Sequence, residues 1–232
     1  MTSSPPVEPA VAPVSARNNA WRRGVRRSIA ILGLAWVCLA AQAETPGNFY
    51  RADTRMPGDL QRVLLLPLTA ESDRAELTAG CESLEQVLQA ELAKTRQFEV
   101  IRAAPGLLRS QTGRAAWSAG DTLPTKFFSA LREAYGCDAV LFCELTAFKA
   151  YTPLAVGWRL RLVDARSQQT LWASDEVFDA AERAIQEDAR RHERQGTKTW
   201  SSRKPSDWLV LHSPRRFGQF TLATVLATLP RR

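Results

Sequence analysis

The chain has 232 residues, of which 45% are hydrophobic and 24% are charged, and its formal net charge is +7 at pH 7. This length suits one domain that buries a hydrophobic core. Residues 1–43 hold five arginines and one acid, so the remaining 189 residues carry a formal charge of only +3. A small charge with acids interspersed excludes the basic footprint of a nucleic-acid-binding protein.

The first 43 residues read as a disordered extension followed by an export signal. Residues 1–20 are rich in Pro, Ala and Ser and have no apolar period. Residues 21–43 combine a basic flank, a short apolar run and a small-x-small exit, which are the parts of a cleaved signal. The run is shorter than the roughly 20 residues that cross a bilayer as a helix. The predicted cleavage site is formed by Ala41, Ala43 and Glu44.

Cys38 offers a second interpretation of the same segment, as a lipid-attachment site. Trp36 and Val37 precede this cysteine, whereas lipid attachment needs a small residue just before it. Cleavage before Glu44 is therefore the favoured hypothesis, and lipidation of Cys38 is the alternative. Residues 44–60 then read as a linker.

The apolar pattern of residues 61–232 predicts a β-α-β-α-β order followed by a β-hairpin. Short continuous apolar runs indicate strands covered on both faces, and apolar residues every three or four positions indicate helices. Residues 103–126 read as a loop with one helical turn. The predicted strands are 62–68, 98–101, 139–145, 156–163 and 170–178, and the predicted helices are 75–95 and 125–135.

The C-terminal part of the chain, 179–232, is predicted to be a helical extension. A charged helix is expected at 179–194, and a short strand or a turn at 207–211. Ser213 and Pro214 are typical of the first residues of a last helix. The predicted fold class is therefore α/β, with a mixed sheet of about five strands packed by helices.

The cysteines and histidines give no metal or cofactor site. Cleavage leaves three cysteines without a C-x-x-C pair, and the two histidines are distant from them in sequence. The chain also lacks a phosphate-binding glycine loop and a nucleophile elbow, so a non-enzymatic protein is predicted. One disulfide between two of the three cysteines is possible, because an exported protein folds in an oxidising compartment, and its pairing is left open. The three cysteines are Cys81, Cys137 and Cys143, and the two histidines are His192 and His212.

Two motifs carry a resemblance to a known family. The sequence GCDAVL (136–141) joins a helix to a strand, and LVDA (162–165) turns the hairpin. With the strand RVLLLPL, they resemble the periplasmic domain shared by the curli secretion component CsgG and the lipoprotein activators of penicillin-binding proteins. The N-terminal domain of TolB is a more distant relative. The resemblance covers 61–178, and SQQ (167–169) stands where the family usually has Thr-Gly.

The resemblance implies a cell-envelope protein that binds other proteins, oligomerises, or does both. The secretion component forms a pore to which each subunit lends two long amphipathic strands. The candidate loops, 103–124 and 146–153, do not offer two such strands. The favoured hypothesis is therefore a periplasmic adaptor or activator in envelope assembly or secretion. The alternative is a CsgG-like oligomeric outer-membrane secretion-channel subunit, anchored as a lipoprotein.

Candidate partner-binding residues are tryptophans in predicted loops, where an exposed indole is typical of an interface. Basic residues accompany them, and the expected partners are unidentified envelope proteins or a second copy. A membrane or cell-wall contact by the basic end of the charged helix, around His192, is a minority interpretation. The candidates are Trp117, Arg114, Trp200, Arg203, Lys204 and Trp208.

Other polar and aromatic residues have structural interpretations. Glu144, inside an apolar strand, is expected to face outward or to pair with Arg159 or Arg161 across the sheet. Asp138 and Asp164 are expected to cap backbone amides in turns. The hairpin tryptophans, Trp158 and Trp172, are expected in the core.

Overall fold

The computed structural model describes residues 47–196 and 208–232, which belong to one compact unit, Thr45–Arg232. The strands are β1 (Phe49–Arg51), β2 (Arg62–Leu65), β3 (Thr69–Ala70), β4 (Glu99–Arg102), β5 (Ala139–Lys149), β6 (Ala155–Asp164) and β7 (Thr170–Asp179). The helices are α1 (Ala75–Thr95), α2 (Pro105–Thr112), α3 (Phe127–Tyr135), α4 (Arg183–Gly196) and α5 (Pro214–Leu226), and a 3-10 turn occupies Leu209–Leu211.

All seven strands belong to one mixed sheet, in the order β1-β7-β6-β5-β2-β4, with β3 beside β5. β2 is parallel to β4 and β5, whereas β5, β6 and β7 form an antiparallel meander that β1 extends. The predicted class, a mixed sheet packed by helices with a C-terminal helix, is confirmed. The sheet has two more strands than expected. β1, in the segment read as a linker, and the two-residue β3 are too short to show a period.

One face of the sheet is covered by α1 and α5 and is called here the closed face. Leucines of α1 and α5 pack against alternate residues of β2, β5, β6 and β7 in one hydrophobic core. Trp158 and Trp172 are fully buried in it, as predicted. Their indole N–H groups donate to the hydroxyls of Thr221 and Thr228, each over 2.9 Å, so neither polar group is buried without a partner.

The opposite face is covered only in part and is called here the half-open face. α2, α3 and the loop after α2 pack a second core over β2 and β5, centred on Phe127 and Phe142. On the same face of β7 and β1, in the described parts of the chain, no helix packs over the strands. Val177 and Tyr50 are each 54% exposed there. The half-open face therefore ends in a stretch of bare sheet.

Two segments predicted as loops are partly regular structure. Pro105 begins α2, and Gly113 ends it in the left-handed conformation with a φ of 88°, so the signals for a full helix were present. β5 continues to Lys149 through a register shift after Leu145, which shortens the loop predicted at 146–153. Gly157 lies opposite the shift, where a Cβ atom would fall 2.4 Å from the Thr146 hydroxyl.

Candidate functional site

Several of the predicted functional residues lie outside the described residues. They are the cleavage site at Ala41, Ala43 and Glu44, the alternative lipid site at Cys38, and the loop residues Trp200, Arg203 and Lys204. Their roles stay predictions.

Trp117 is buried, with 4% of its surface exposed, so the prediction of an exposed indole at this position is wrong. Its ring packs edge-on against Phe127 at 5.3 Å, and its N–H donates to the Thr112 hydroxyl over 2.7 Å. Arg114 stacks on the ring, 4.5 Å from its centroid, and pairs with Asp121 over 3.3 Å. Trp117 and Arg114 thus hold the loop after α2 in place.

Trp208 is 57% exposed, as expected for a loop tryptophan. It contacts His212 edge-on, with 5.2 Å between ring centroids, at the entry to the 3-10 turn. Its role in partner binding stays a prediction. His192, the centre of the basic helix end, is exposed and lies 5.7 Å from the ring of Phe220.

The two predicted turn aspartates cap backbone amides, as expected. Asp138 accepts hydrogen bonds from the N–H groups of Gln61 and Arg62, each over 3.0 Å, and so ties the start of β2 to the start of β5. Asp164 accepts from the N–H groups of Arg166 and Ser167. Burial opposes ionisation of Asp164, but these hydrogen bonds outweigh it and lower the pKa of its carboxyl below the ordinary value.

The three cysteines of the described domain are free thiols. Burial raises the pKa of Cys137 and that of half-buried Cys81 to about 11, with a further rise for Cys81 from nearby Glu85. Burial alone raises the pKa of Cys143, which is fully buried. Thiols with raised pKa values stay protonated near neutral pH and are poor nucleophiles and metal ligands.

Glu144 pairs with Arg159 across the sheet, which confirms one of the two predicted arrangements. The Arg159 guanidinium lies 2.7 Å from Asp175, 2.8 Å from Glu144 and 3.1 Å from Glu71. Hydrogen bonds with Asp175, and then with Glu144 and Glu71, outweigh burial and raise the pKa of Arg159 above its ordinary value. Glu144, which is 7% exposed, also accepts from the Ser118 hydroxyl over 2.9 Å. The network joins β5, β6 and β7 to the loop after α2.

A second row of residues crosses the half-open face beside this network. The strand register places Phe142 opposite Arg161, Arg161 opposite Ala173, and Ala173 opposite Tyr50. Arg161 donates to the Thr170 hydroxyl over 2.9 Å and to the Ala119 carbonyl over 3.3 Å. Because the small Ala173 lies between the long side chains of Arg161 and Tyr50, the row forms a depression in the sheet surface.

Two cavities meet at this row and form one groove across the bare sheet. The first, of about 370 Å³, reaches from Ala119 to Asp175, and the second, of about 690 Å³, reaches to Gln169. Both are lined by Tyr50, Arg161 and Ala173, which we call the groove floor.

Residues 47–196 and 208–232 contain neither a metal-binding cluster nor a membrane-spanning helix. No group of His, Cys, Asp and Glu there is arranged to hold a metal ion. None of the helices in that part is long and apolar enough to cross a membrane.

The groove was not predicted from the sequence. Its floor joins β1 near residue 50 to strands more than 100 residues later, and β1 has no pattern that marks it as a strand. Arg161 alone had a signal, as a charged residue on the wetter side of an alternating strand.

No protein-family model matches the chain, and no curated protein matches it. It is similar to the solved PelC dodecamer from Paraburkholderia phytofirmans, with a TM-score of 0.44 and 12% identity over 79% of this chain and 96% of that one. It is also similar to lipoprotein GNA1162 from Neisseria meningitidis, with a TM-score of 0.39 and 19% identity over 60% and 99% of the two chains. The LpoB C-terminal domain from Escherichia coli gives a TM-score of 0.34 and 18% identity, over 62% and 92%. No functional conclusion follows from similarities at these scores.

Proposed function

We propose that the chain is an exported, non-enzymatic cell-envelope protein, a periplasmic adaptor or activator that binds other proteins. The observation that supports this most is the bare sheet of the half-open face. An aromatic and an aliphatic side chain, Tyr50 and Val177, are each 54% exposed there beside a groove. Exposed apolar surface with a polar rim is typical of a protein-binding site.

The proposed location rests on the sequence. A basic flank, a short apolar run and the exit at Ala41 and Ala43 favour export and cleavage before Glu44. The motifs GCDAVL and LVDA, through their resemblance to periplasmic domains, favour the same compartment. Lipidation of Cys38 would hold the chain at a membrane and remains the alternative.

The exposed Trp208 is a second candidate contact. It lies directly after the segment that holds Trp200, Arg203 and Lys204, the other proposed partner-binding residues. Trp208 does not line the groove, so substitutions at Trp208 and in the groove test the two candidate contacts separately.

The alternative function is a CsgG-like oligomeric subunit of an outer-membrane secretion channel. One observation favours oligomerisation. β1 covers the outer edge of β7 only at Trp172–Ser174, and in the described chain no strand pairs with this edge from Glu176 to Asp179. A bare strand edge is a template for pairing with a second copy.

Native mass spectrometry of the chain extracted from envelopes in mild detergent tests the proposal. We expect a chain that begins at Glu44, as a monomer or dimer, in a complex of defined stoichiometry with another envelope protein. A large ring of identical subunits, each acylated at Cys38, would favour the channel subunit instead. A chain that keeps Met1, or one without any partner, would contradict the proposal.

A further inference from the structure

Arg159 and Arg161 lie two residues apart on the half-open face of β6, in opposite electrostatic settings. Arg159 is surrounded by three carboxylates, from Glu71, Glu144 and Asp175. Arg161 donates only to neutral oxygens, the hydroxyl of Thr170 and the carbonyl of Ala119. In residues 47–196 and 208–232, no carboxylate lies within ion-pairing distance of Arg161.

The position of Arg161 makes this difference accessible to a partner. Arg161 forms part of the groove floor, between the loop residue Ala119 on one side and Ala173 and Tyr50 on the other. The methyl group of Ala173 leaves room above the strands. The wall at Ala119 is fixed, because Trp117 anchors that loop in the second core.

We infer that the groove binds an extended segment of a protein partner, and that one acidic side chain of that segment pairs with Arg161. The inference deepens the proposed function, on which it rests, by naming the surface and the chemistry of the partner. Two of the five guanidinium N–H donors of Arg161 are used within the domain. The others can bind a carboxylate, and partial burial strengthens such a charge-assisted hydrogen bond.

The charges beside Arg161 restrict further which partner segments fit the groove. Asp175 lines the same groove as Arg161, and Glu71 and Glu144 belong to the network beside it. These three carboxylates outnumber the single positive charge of Arg159, so this end of the groove is negatively charged and repels a polyanion. One acidic residue of the partner segment therefore fits above Arg161. The residue two positions along the extended segment lies above Asp175 and is neutral or basic. Apolar flanking residues fit against Tyr50.

A displayed library of random eight-residue peptides, selected on the full chain purified from envelopes, tests the inference. We expect the selected peptides to be enriched in Asp or Glu, with a neutral or basic residue two positions away. A synthetic selected peptide should bind at least about tenfold more weakly to Arg161→Gln, which corresponds to about 1.4 kcal/mol. Its affinity for Arg166→Gln should equal that for the wild type, because Arg166 is an exposed arginine of the same hairpin outside the groove.

Other outcomes overturn the inference. These are a library that yields no binder, selected peptides without acidic enrichment, and equal affinity for Arg161→Gln and the wild type. Loss of a homodimer in Arg161→Gln, without peptide binding by the wild type, would assign the groove to a second copy instead. None of these results would contradict the proposed function, which is tested separately by the native mass and the first residue of the chain extracted from envelopes.

A second variant controls for misfolding. Arg161→Lys keeps the positive charge but loses the planar guanidinium, so we expect binding between that of the wild type and that of Arg161→Gln. Urea unfolding of the three proteins should give midpoints that differ little, because Arg161 bonds only to neutral oxygens within the domain. If Arg161→Gln does not fold, the Lys variant decides the matter: unchanged affinity of the peptide for it would overturn the inference.

Discussion

The two faces of the sheet are built from the same strands but have different surfaces. On the closed face, helices α1 and α5 cover β2, β5, β6 and β7, and large residues such as Trp158 and Leu160 are fully buried. On the half-open face, α2 and α3 stop above β5, and β6, β7 and β1 present Arg161, Ala173 and Tyr50. Hydrophobic cores therefore cover the closed face and the β2–β5 part of the half-open face, and the proposed binding surface lies on the bare strands β6, β7 and β1.

This division separates stability from binding at the level of single residues. Adjacent residues of β6 point to opposite faces, so Leu160 packs in the core while Arg159 and Arg161 face the groove. Substitutions on the closed face should change the free energy of unfolding, and those on the bare part of the other face should change affinity.

The largest expected effect is that of truncating a closed-face residue. Leu160→Ala should lower the free energy of unfolding by about 2–5 kcal/mol, because it leaves a cavity in the core. Val177→Ala is the matched truncation on the bare face, where the side chain is 54% exposed, and should change it by less than about 0.5 kcal/mol. Urea denaturation measures both, and similar losses would contradict the division into two faces.

The second-largest expected effect on stability is that of replacing Arg159, and Arg161 is its matched control. Arg159→Leu should lower the free energy of unfolding by about 1–3 kcal/mol, because it leaves Glu144 largely buried without its cation. Arg161→Leu breaks hydrogen bonds to neutral oxygens and should cost less than about 1 kcal/mol. Thermal unfolding of both variants checks the order. If Arg161→Leu is the less stable of the two, Arg161 is a structural residue and not a binding one.

The third expected effect on stability is that of replacing Asp164 in the turn between β6 and β7. Asp164→Ala should lower the free energy of unfolding by about 1–2 kcal/mol at pH 7, because two N–H groups lose a charged acceptor. The folded pKa of Asp164 is lowered, so its contribution is complete above the unfolded value of 3.8 and is lost as the pH falls through the folded value. Wild type and variant should therefore converge in acid. A constant difference down to pH 2 would contradict this.

The smallest expected change in stability belongs to the groove. Tyr50→Ser should change the free energy of unfolding by less than about 0.5 kcal/mol, since the side chain is 54% exposed. The same substitution should weaken the binding of a peptide to the groove several-fold, because the groove floor loses its aromatic ring. Fluorescence anisotropy with a labelled peptide measures the affinity, and unchanged binding would move the contact away from Tyr50.

The sequence predicted those elements whose pattern is local. α1 has bounds that match its apolar repeat, the alternating hairpin is β6 and β7, and α3 ends at Gly136 as its glycine indicated. β1 and β3 were missed because they are stabilised by pairing with β7 and β5, not by a period of their own. α2 was underestimated although Pro105 and Gly113 mark its ends.

The candidate site was less predictable than the fold. The pairing of Glu144 with Arg159 followed from strand alternation, and one of the two proposed partners was the observed one. The error at Trp117 arose because a loop position says nothing about burial when distant residues, here Phe127 and Thr112, enclose the side chain. The groove depends on the register of β1 against β7, which no local pattern contains.

The central claim is that the half-open face binds a protein partner through Arg161. The most direct measurement is the native mass of the chain from envelopes for the wild type, Arg161→Gln and Arg166→Gln, together with their unfolding midpoints. We expect the wild type and Arg166→Gln in the same complex, and a folded Arg161→Gln without its partner. The same complex in all three proteins, with unchanged stoichiometry, would contradict the claim.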